Sequence, residues 1–228
     1  MMDTFKIKDI EIKYLSHSGF LITKGEHKIL IDPYLSENPL AKIKPQDIKA
    51  TDILLTHGHF DHVGDAIEIA KQNDCNITTV FELASWCERQ GAKANGMPVG
   101  GKFKFPWGII HLRQAMHASI TSDGVSVGFP ASILIDFGDV KIYHLGDTAL
   151  INDFKLVGEI YKPDIALMPI GGKYTMDINE AVIATKWLNV STVIPMHYDT
   201  FDVIKANPEE FKQKVEKETN AKCVILRF

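Results

Sequence analysis

Three cysteines are too few and too scattered to staple this 228-residue chain. Cys75, Cys87 and Cys223 are odd in number and form no CxxC pair. Buried, reduced thiols in a cytoplasmic protein are the expectation. The chain also lacks a block of lysines or arginines, and its 25 basic residues against 29 acidic ones leave a net charge of −4. Nucleic acid is therefore not an expected partner, because neutralising phosphates takes a basic face. No apolar run approaches the roughly 18 residues that span a bilayer. The opening MMDTFKIKDIEIKYL carries a charge every second or third residue and has no signal-peptide core. No repeat, low-complexity tract or linker divides the sequence. With 45% hydrophobic and 24% charged residues, it has the composition of a globular protein with a full core. At this length one domain over residues 1–228 is expected.

The first third reads as strands. FKIKDIEIKYL alternates apolar and polar residues, and GFLITKGEHKILIDPYL is two apolar runs around a glycine-containing turn. DILLT is a short apolar run, and VGDAIEIAKQN after it has helical spacing at Val63, Ala66, Ile67 and Ala70. FELASWCERQG predicts a helix closed by Gly91. GKFKF, GIIHLRQAMHA, ASILIDFGDVKIYHLGDT and DIALMPIGG read as strands, the third turning at Gly138-Asp139. DINEAVIATKWLN predicts a helix, TVIPMH a strand, NPEEFKQKVEKETN an amphipathic helix and AKCVILRF a closing strand. Strands first and helices between later strands predict an α+β fold.

Between DILLT and the following helix, THGHFDH places three of the chain's nine histidines and an aspartate within six positions. In an extended segment residues two apart point the same way, so His57 and His59 can converge on one ion. Asp61 and His62 then swing toward a second position as the chain turns into the helix. Imidazole suits Zn²⁺ and related ions, and carboxylate oxygen completes such shells. The alternative is a polar turn that is rich in histidine by chance. One loop cannot complete two shells, and further donors stand where other apolar segments stop. These are His117 in QAMHAS, Asp147 in YHLGDT and His197 in VIPMHYD.

The order THGHFDH, AMHAS, LGDT, PMHY resembles the metal motifs of the metallo-β-lactamase superfamily over residues 57 to 197. SHSGFLI near the start and GGKYTMD late in the chain look most like its small metal-dependent hydrolases related to ascorbate-phosphate lactonase. The resemblance implies a four-layer αβ/βα sandwich. It also implies that His57, His59 and His117 hold one metal, that Asp61, His62 and His197 hold the other, and that Asp147 bridges them. His59 stands where flavodiiron oxygen reductases have Glu. No flavin domain follows, and the chain has no room for the large inserted domain of the nuclease branch or for the C-terminal helical domain of the glyoxalase II branch.

Other polar residues are ambiguous. His17 resembles a position of that branch near the metals, acting on a ligand or on substrate, and a purely structural histidine is the alternative. Asp32 is placed to orient a metal-bound histidine from behind, or merely closes a strand. Lys173, Asp177 and Tyr198 are candidates for substrate contact, although N-capping the next helix would account for Asp177. His111 reads as a core residue or as one that supports a metal ligand from behind, His144 as packing against the sheet, and His27 as a solvated turn residue. The tryptophans read as core or rim.

Two divalent ions, zinc first and manganese, iron or nickel as alternatives, would lower the pKa of a shared water from about 15.7 toward 7. Formal charges of the ions, two carboxylates and a bridging hydroxide sum to roughly +1, which suits a transition state that gains negative charge. The expected activity is metal-dependent hydrolysis of an ester, lactone, amide or phosphodiester in a small molecule, with Asp61 and Asp147 as catalytic carboxylates. The competing expectations are a metal-binding sensor or relic without hydrolytic activity, and a nuclease, which the charge disfavours. A homo-oligomer is compatible with the sequence.

Overall fold

A computed structural model describes residues 3–227. They fall into two compact units. The first is the chain up to Gly101 with Ala118–Pro130 and the end from Leu226, and the second is Lys102–His117 with Ala131–Ile225. Each unit holds one seven-stranded sheet whose strands neighbour one another in chain order.

The first sheet begins with β1 (Thr4–Ile7), β2 (Ile10–Ser16), β3 (Gly19–Lys24) and β4 (His27–Ile31), successively antiparallel. It continues with β5 (Asp52–Leu54), β6 (Asn76–Val80) and β7 (Lys93–Met97), all parallel. Parallel neighbours need crossovers, and these carry α1 (Phe60–Val63), α2 (Ala66–Asn73) and α3 (Phe81–Arg89). Ile12, Phe20, Ile22, Ile29, Ile53 and Ile77 are wholly buried and form the centre of this core. Burial of each such side chain contributes ~1.5–3 kcal/mol.

The second sheet repeats the plan. β8 (Lys102–Phe105), β9 (Gly108–Gln114), β10 (Ala131–Asp136) and β11 (Lys141–His144) are antiparallel. β12 (Ile165–Pro169), β13 (Thr192–Met196) and β14 (Lys222–Cys223) then add in parallel. Three helices occupy the crossovers: α4 (Asp153–Ile160), α5 (Ile178–Leu188) and α6 (Pro208–Glu218). Leu134, Tyr143, Phe154, Met168, Leu188 and Phe211 pack in one buried cluster. In both sheets the fourth strand is where antiparallel pairing gives way to parallel, and an aspartate follows it closely: Asp32 after β4 and Asp147 after β11. The chain leaves the carboxyl ends of strands there, which is where α/β sheets gather ligands.

The sequence expectation of α+β structure holds within each unit. β6 and β7 were not expected from the sequence: NITTV is β-branched but short and without apolar alternation, and KANGM holds a glycine and no apolar run. Helix α4 was equally silent. The single helix expected from Val63 onward is broken at Gly64, whose φ of +41° belongs to glycine. A Cβ there would stand 2.5 Å from the Pro33 carbonyl oxygen. The closing strand is shorter than AKCVILRF suggests: only Lys222–Cys223 pairs as a strand. Among the described residues no helix is long and apolar enough to cross a membrane.

Candidate metal centre

In the first unit the donor loop leaves β5 and ends in α1. Asp32, at the end of β4, holds it from beneath. Its Oδ1 accepts the Thr56 backbone N–H at 2.9 Å, and its Oδ2 accepts the Thr56 hydroxyl at 2.6 Å. The same Oδ2 accepts from His62 Nδ1 at 2.8 Å. Since the Thr56 hydroxyl gives its proton to Asp32, it accepts from His57 Nδ1 at 3.0 Å. Both imidazoles are thereby assigned Nδ1–H, which leaves each Nε2 with its lone pair. This is the outer-shell carboxylate arrangement that orients metal-binding histidines. His57 Nε2 lies 3.0 Å from His59 Nδ1. Two nitrogens at opposite ends of a tetrahedral edge around Zn²⁺ are about 3.3 Å apart, given Zn–N bonds of about 2.0–2.1 Å.

Asp61 and His62 occupy the first turn of α1. Asp61 Oδ2 lies 4.0 Å from His62 Nε2 and accepts from His17 Nε2 at 3.0 Å. Donor atoms of His17, Asp61 and His62 all lie within 4.8 Å of one another. His17 is fully buried, with φ of +56° beside a register shift between Tyr14 and Ser16. The Tyr14 hydroxyl donates to the His17 carbonyl at 2.8 Å. Asp32 also has a left-handed backbone, with φ of +43°. Non-glycine residues held there cost energy that the surroundings must offset, and such strain gathers at functional sites.

Gly58 lies between the first two histidines for a steric reason. A Cβ on it would be 2.3 Å from Val127 Cγ2, and its N–H donates to Ser119 Oγ at 3.1 Å. The segment after Ala118 thus fixes the loop that carries His57 and His59.

In the second unit Asp147 Oδ2 lies 3.0 Å from His197 Nε2 and 3.5 Å from His117 Nε2. Thr148 accepts the Met116 N–H on its hydroxyl at 3.1 Å, and Ala149 N–H donates to the Met116 carbonyl, also at 3.1 Å. These bonds keep the end of the β9 segment beside Asp147. His197 is buried with φ of +55°, and its carbonyl would stand 2.4 Å from a Cβ on Gly171. Gly171 therefore lets the chain pass close behind a donor.

The donor chemistry fits divalent cations. The first unit offers His57, His59, His62 and Asp61, and the second offers His117, His197 and Asp147. Neutral imidazole with carboxylate is the ligand set of zinc and of related ions.

The remaining candidates divide by environment. Asp177 closes a capping box on α5, its carboxylate accepting from Glu180 N–H at 2.9 Å, and this accounts for it. Tyr198 is buried in the core of the second unit, and burial raises its pKa. Lys173 is exposed, its Nζ 5.9 Å from the ring centre of Tyr174. His144 is wholly buried and accepts from Gly146 N–H at 3.1 Å. His111 is half-buried, edge-on to Tyr161 at 4.9 Å, and burial lowers its pKa. His27 is the first residue of β4, half-buried. Thr56 escaped the sequence reading. Its only signal was its position directly before His57, and its role depends on Asp32, 24 residues earlier.

The model of the beta-lactamase superfamily domain matches residues 11–197. The chain belongs to that superfamily. Within it, a UPF0173 metal-dependent hydrolase of Methanosarcina barkeri is 44% identical over 221 residues, covering 96% of both chains. One from Methanosarcina mazei is 42% identical over 221 residues, again covering 96% of each. The solved structure of Igni18, described as a novel metallo hydrolase from the archaeon Ignicoccus hospitalis, superposes with a TM-score of 0.88 at 37% identity. It covers 96% of this chain and 95% of that one. The chain is a metal-dependent hydrolase with the metallo-β-lactamase fold, α+β in each unit, and the family's dependence on metal agrees with the donor chemistry of both units.

Proposed function

We propose that the two donor clusters together serve one dinuclear centre that hydrolyses an ester, lactone, amide or phosphodiester bond of a small molecule. In this reading His57, His59 and His117 hold one ion, Asp61, His62 and His197 hold the second, and Asp147 joins them. Zinc is the first choice, with manganese, iron or nickel as alternatives. The observation that carries the proposal is the hold of Asp32 on two histidines, directly on His62 and through Thr56 on His57. That network orients two lone pairs and serves no packing purpose that apolar residues would not serve better.

Bound divalent ions would supply an activated water and a Lewis acid for the substrate oxygen. The chain's own groups would do the rest. Asp61 would orient the attacking water, and its carboxylate is in turn positioned by the hydrogen bond from His17. Asp147 would hold His117 and His197 in register. The two units would act as one hydrolase domain in the cytoplasm, where the three buried, free cysteines stay reduced. The partner would be a small-molecule substrate rather than nucleic acid, in keeping with the net charge of −4. A homo-oligomer is compatible with this reading.

Metal analysis and an ester and phosphodiester screen of Asp147→Ala test the proposal. The variant should retain fewer ions per chain than the wild type and lose turnover. Full metal content with wild-type rates would refute it.

A further inference from the structure

The first unit contains a cleft of about 350 Å³ beside the donor loop. This is at the small end of ligand pockets, roughly 300–1,000 Å³. Its apolar walls are Tyr34, Phe60, Val63, Ile67 and Trp86. The polar groups on those walls are already engaged. Trp86 Nε1 donates to Asp123 Oδ1 at 3.2 Å, and the Tyr34 hydroxyl donates to the Glu37 carbonyl at 2.8 Å. Asp65 accepts the Leu35 and Ser36 N–H groups at 2.8 and 2.9 Å and the Ser36 hydroxyl at 2.5 Å. What the walls offer a ligand is therefore ring and aliphatic surface.

Charge narrows the occupant. Among the described residues, Glu37 and Asp65 are the carboxylates lining the cleft, and no lysine, arginine or histidine lines it. The three donors to Asp65 are neutral groups, so its carboxylate adds to the negative sign that the exposed Glu37 gives the rim. A negative rim over aromatic walls favours cations and neutral groups and repels anions. The cleft is also tied to the donors. Gly58 and Phe60, which line it, alternate in sequence with His57, His59 and Asp61. His59 and Asp61 are the partly exposed donors of that loop, and the half-exposed Phe60 stands between them.

We propose that this cleft is the specificity pocket of the hydrolase, taking an uncharged or cationic aromatic or branched apolar part of the substrate while the scissile group passes the Phe60 rim to the donors. The inference rests on the hydrolytic reading above and adds a substrate class to it. Compounds whose non-reacting part is anionic are disfavoured.

Two measurements on the metal-loaded protein test it. Calorimetry with benzyltrimethylammonium and benzoate reads the cleft without turnover. The cation should bind in the cleft, whereas benzoate, which the loaded ions can also ligate, should give only heat that filling the cleft leaves unchanged. Ser122 lines the cleft and is exposed; Ser122→Trp, which fills the cleft, should remove the binding of the cation, and Glu37→Lys should weaken the cation at least fivefold and admit benzoate to the cleft. Kinetics then compare kcat/KM for 4-nitrophenyl 3-phenylpropanoate with that for the acetate ester. This ratio should fall at least tenfold in Ser122→Trp. Benzoate binding that is lost in Ser122→Trp together with that of the cation, no binding of the cation, or an unaltered ratio in an active Ser122→Trp enzyme would overturn the pocket assignment. If neither ester is hydrolysed while the calorimetric pattern holds, the assignment of ester hydrolysis fails instead, and the cleft stands as a binding site for the apolar part of another hydrolysable substrate.

Discussion

Asp32 and His62 are thirty residues apart in sequence, yet the Asp32 carboxylate accepts a 2.8 Å hydrogen bond from His62 Nδ1 with both side chains fully buried. Removing one partner of a buried polar pair typically costs about 3–5 kcal/mol, so the contact persists only because both partners are held.

Asp32→Asn keeps the shape and removes the charge. His62 and Thr56 both give protons to Oδ2, and an amide presents only one acceptor oxygen to the two of a carboxylate. We expect metal affinity to fall by about 10–100-fold, the usual cost of a lost outer-shell partner. Competition against a chromogenic chelator would measure it. An unchanged affinity would show that the histidines orient themselves.

Gly58→Ala places a methyl 2.3 Å from Val127 Cγ2, a buried atom with little freedom. Overpacking of this kind costs ~1–3 kcal/mol. Chemical denaturation should show that loss, and Gly58→Ala/Val127→Ala should recover part of it. If the double variant is as unstable as the sum of its single changes, the steric account is wrong.

Asp177→Ala removes the capping box of α5 and should lower stability by about 1 kcal/mol. Asp177→Asn or Asp177→Ser, which keep a side-chain acceptor, should restore most of it in the same denaturation experiment. If neither restores it, some other contact of the carboxylate is the source.

The cysteines should be inert in the folded protein. Burial pushes the Cys75 thiol up to about 11 and those of Cys87 and Cys223 up to about 12. Thiolate is the reactive form, so at pH 8 almost none is present at these sites. A disulfide reagent should label no thiol at that pH until denaturant is added, and then all three. Rapid labelling of the native protein at pH 8 would contradict the burial.

Much of the architecture was legible because its signals are local. The hairpin of β3 and β4, the turn at Gly138-Asp139 and the Asn207-Pro208 start of α6 each announce themselves within a few residues. β6 and β7 did not. They become strands because β5 offers an edge to β6 and β6 in turn offers one to β7, which is a tertiary circumstance. The donor residues were legible as types at strand ends. The ambiguity of Asp177 was resolved only by seeing what its carboxylate accepts.

The sequence by itself determined the donor types, since no change of conformation turns an imidazole or a carboxylate into something else, and it determined the periodicities that make strands and helices. Only the tertiary structure decided which atoms of those donors are engaged by Asp32 and Thr56. Asp32, Thr56, His57 and His62 share protons through bonds spanning up to thirty residues, and such distances are closed by the packing of the sheet as a whole. The same holds for the cleft: Tyr34, Phe60 and Trp86 become one surface only when three separate segments of the first unit fold together.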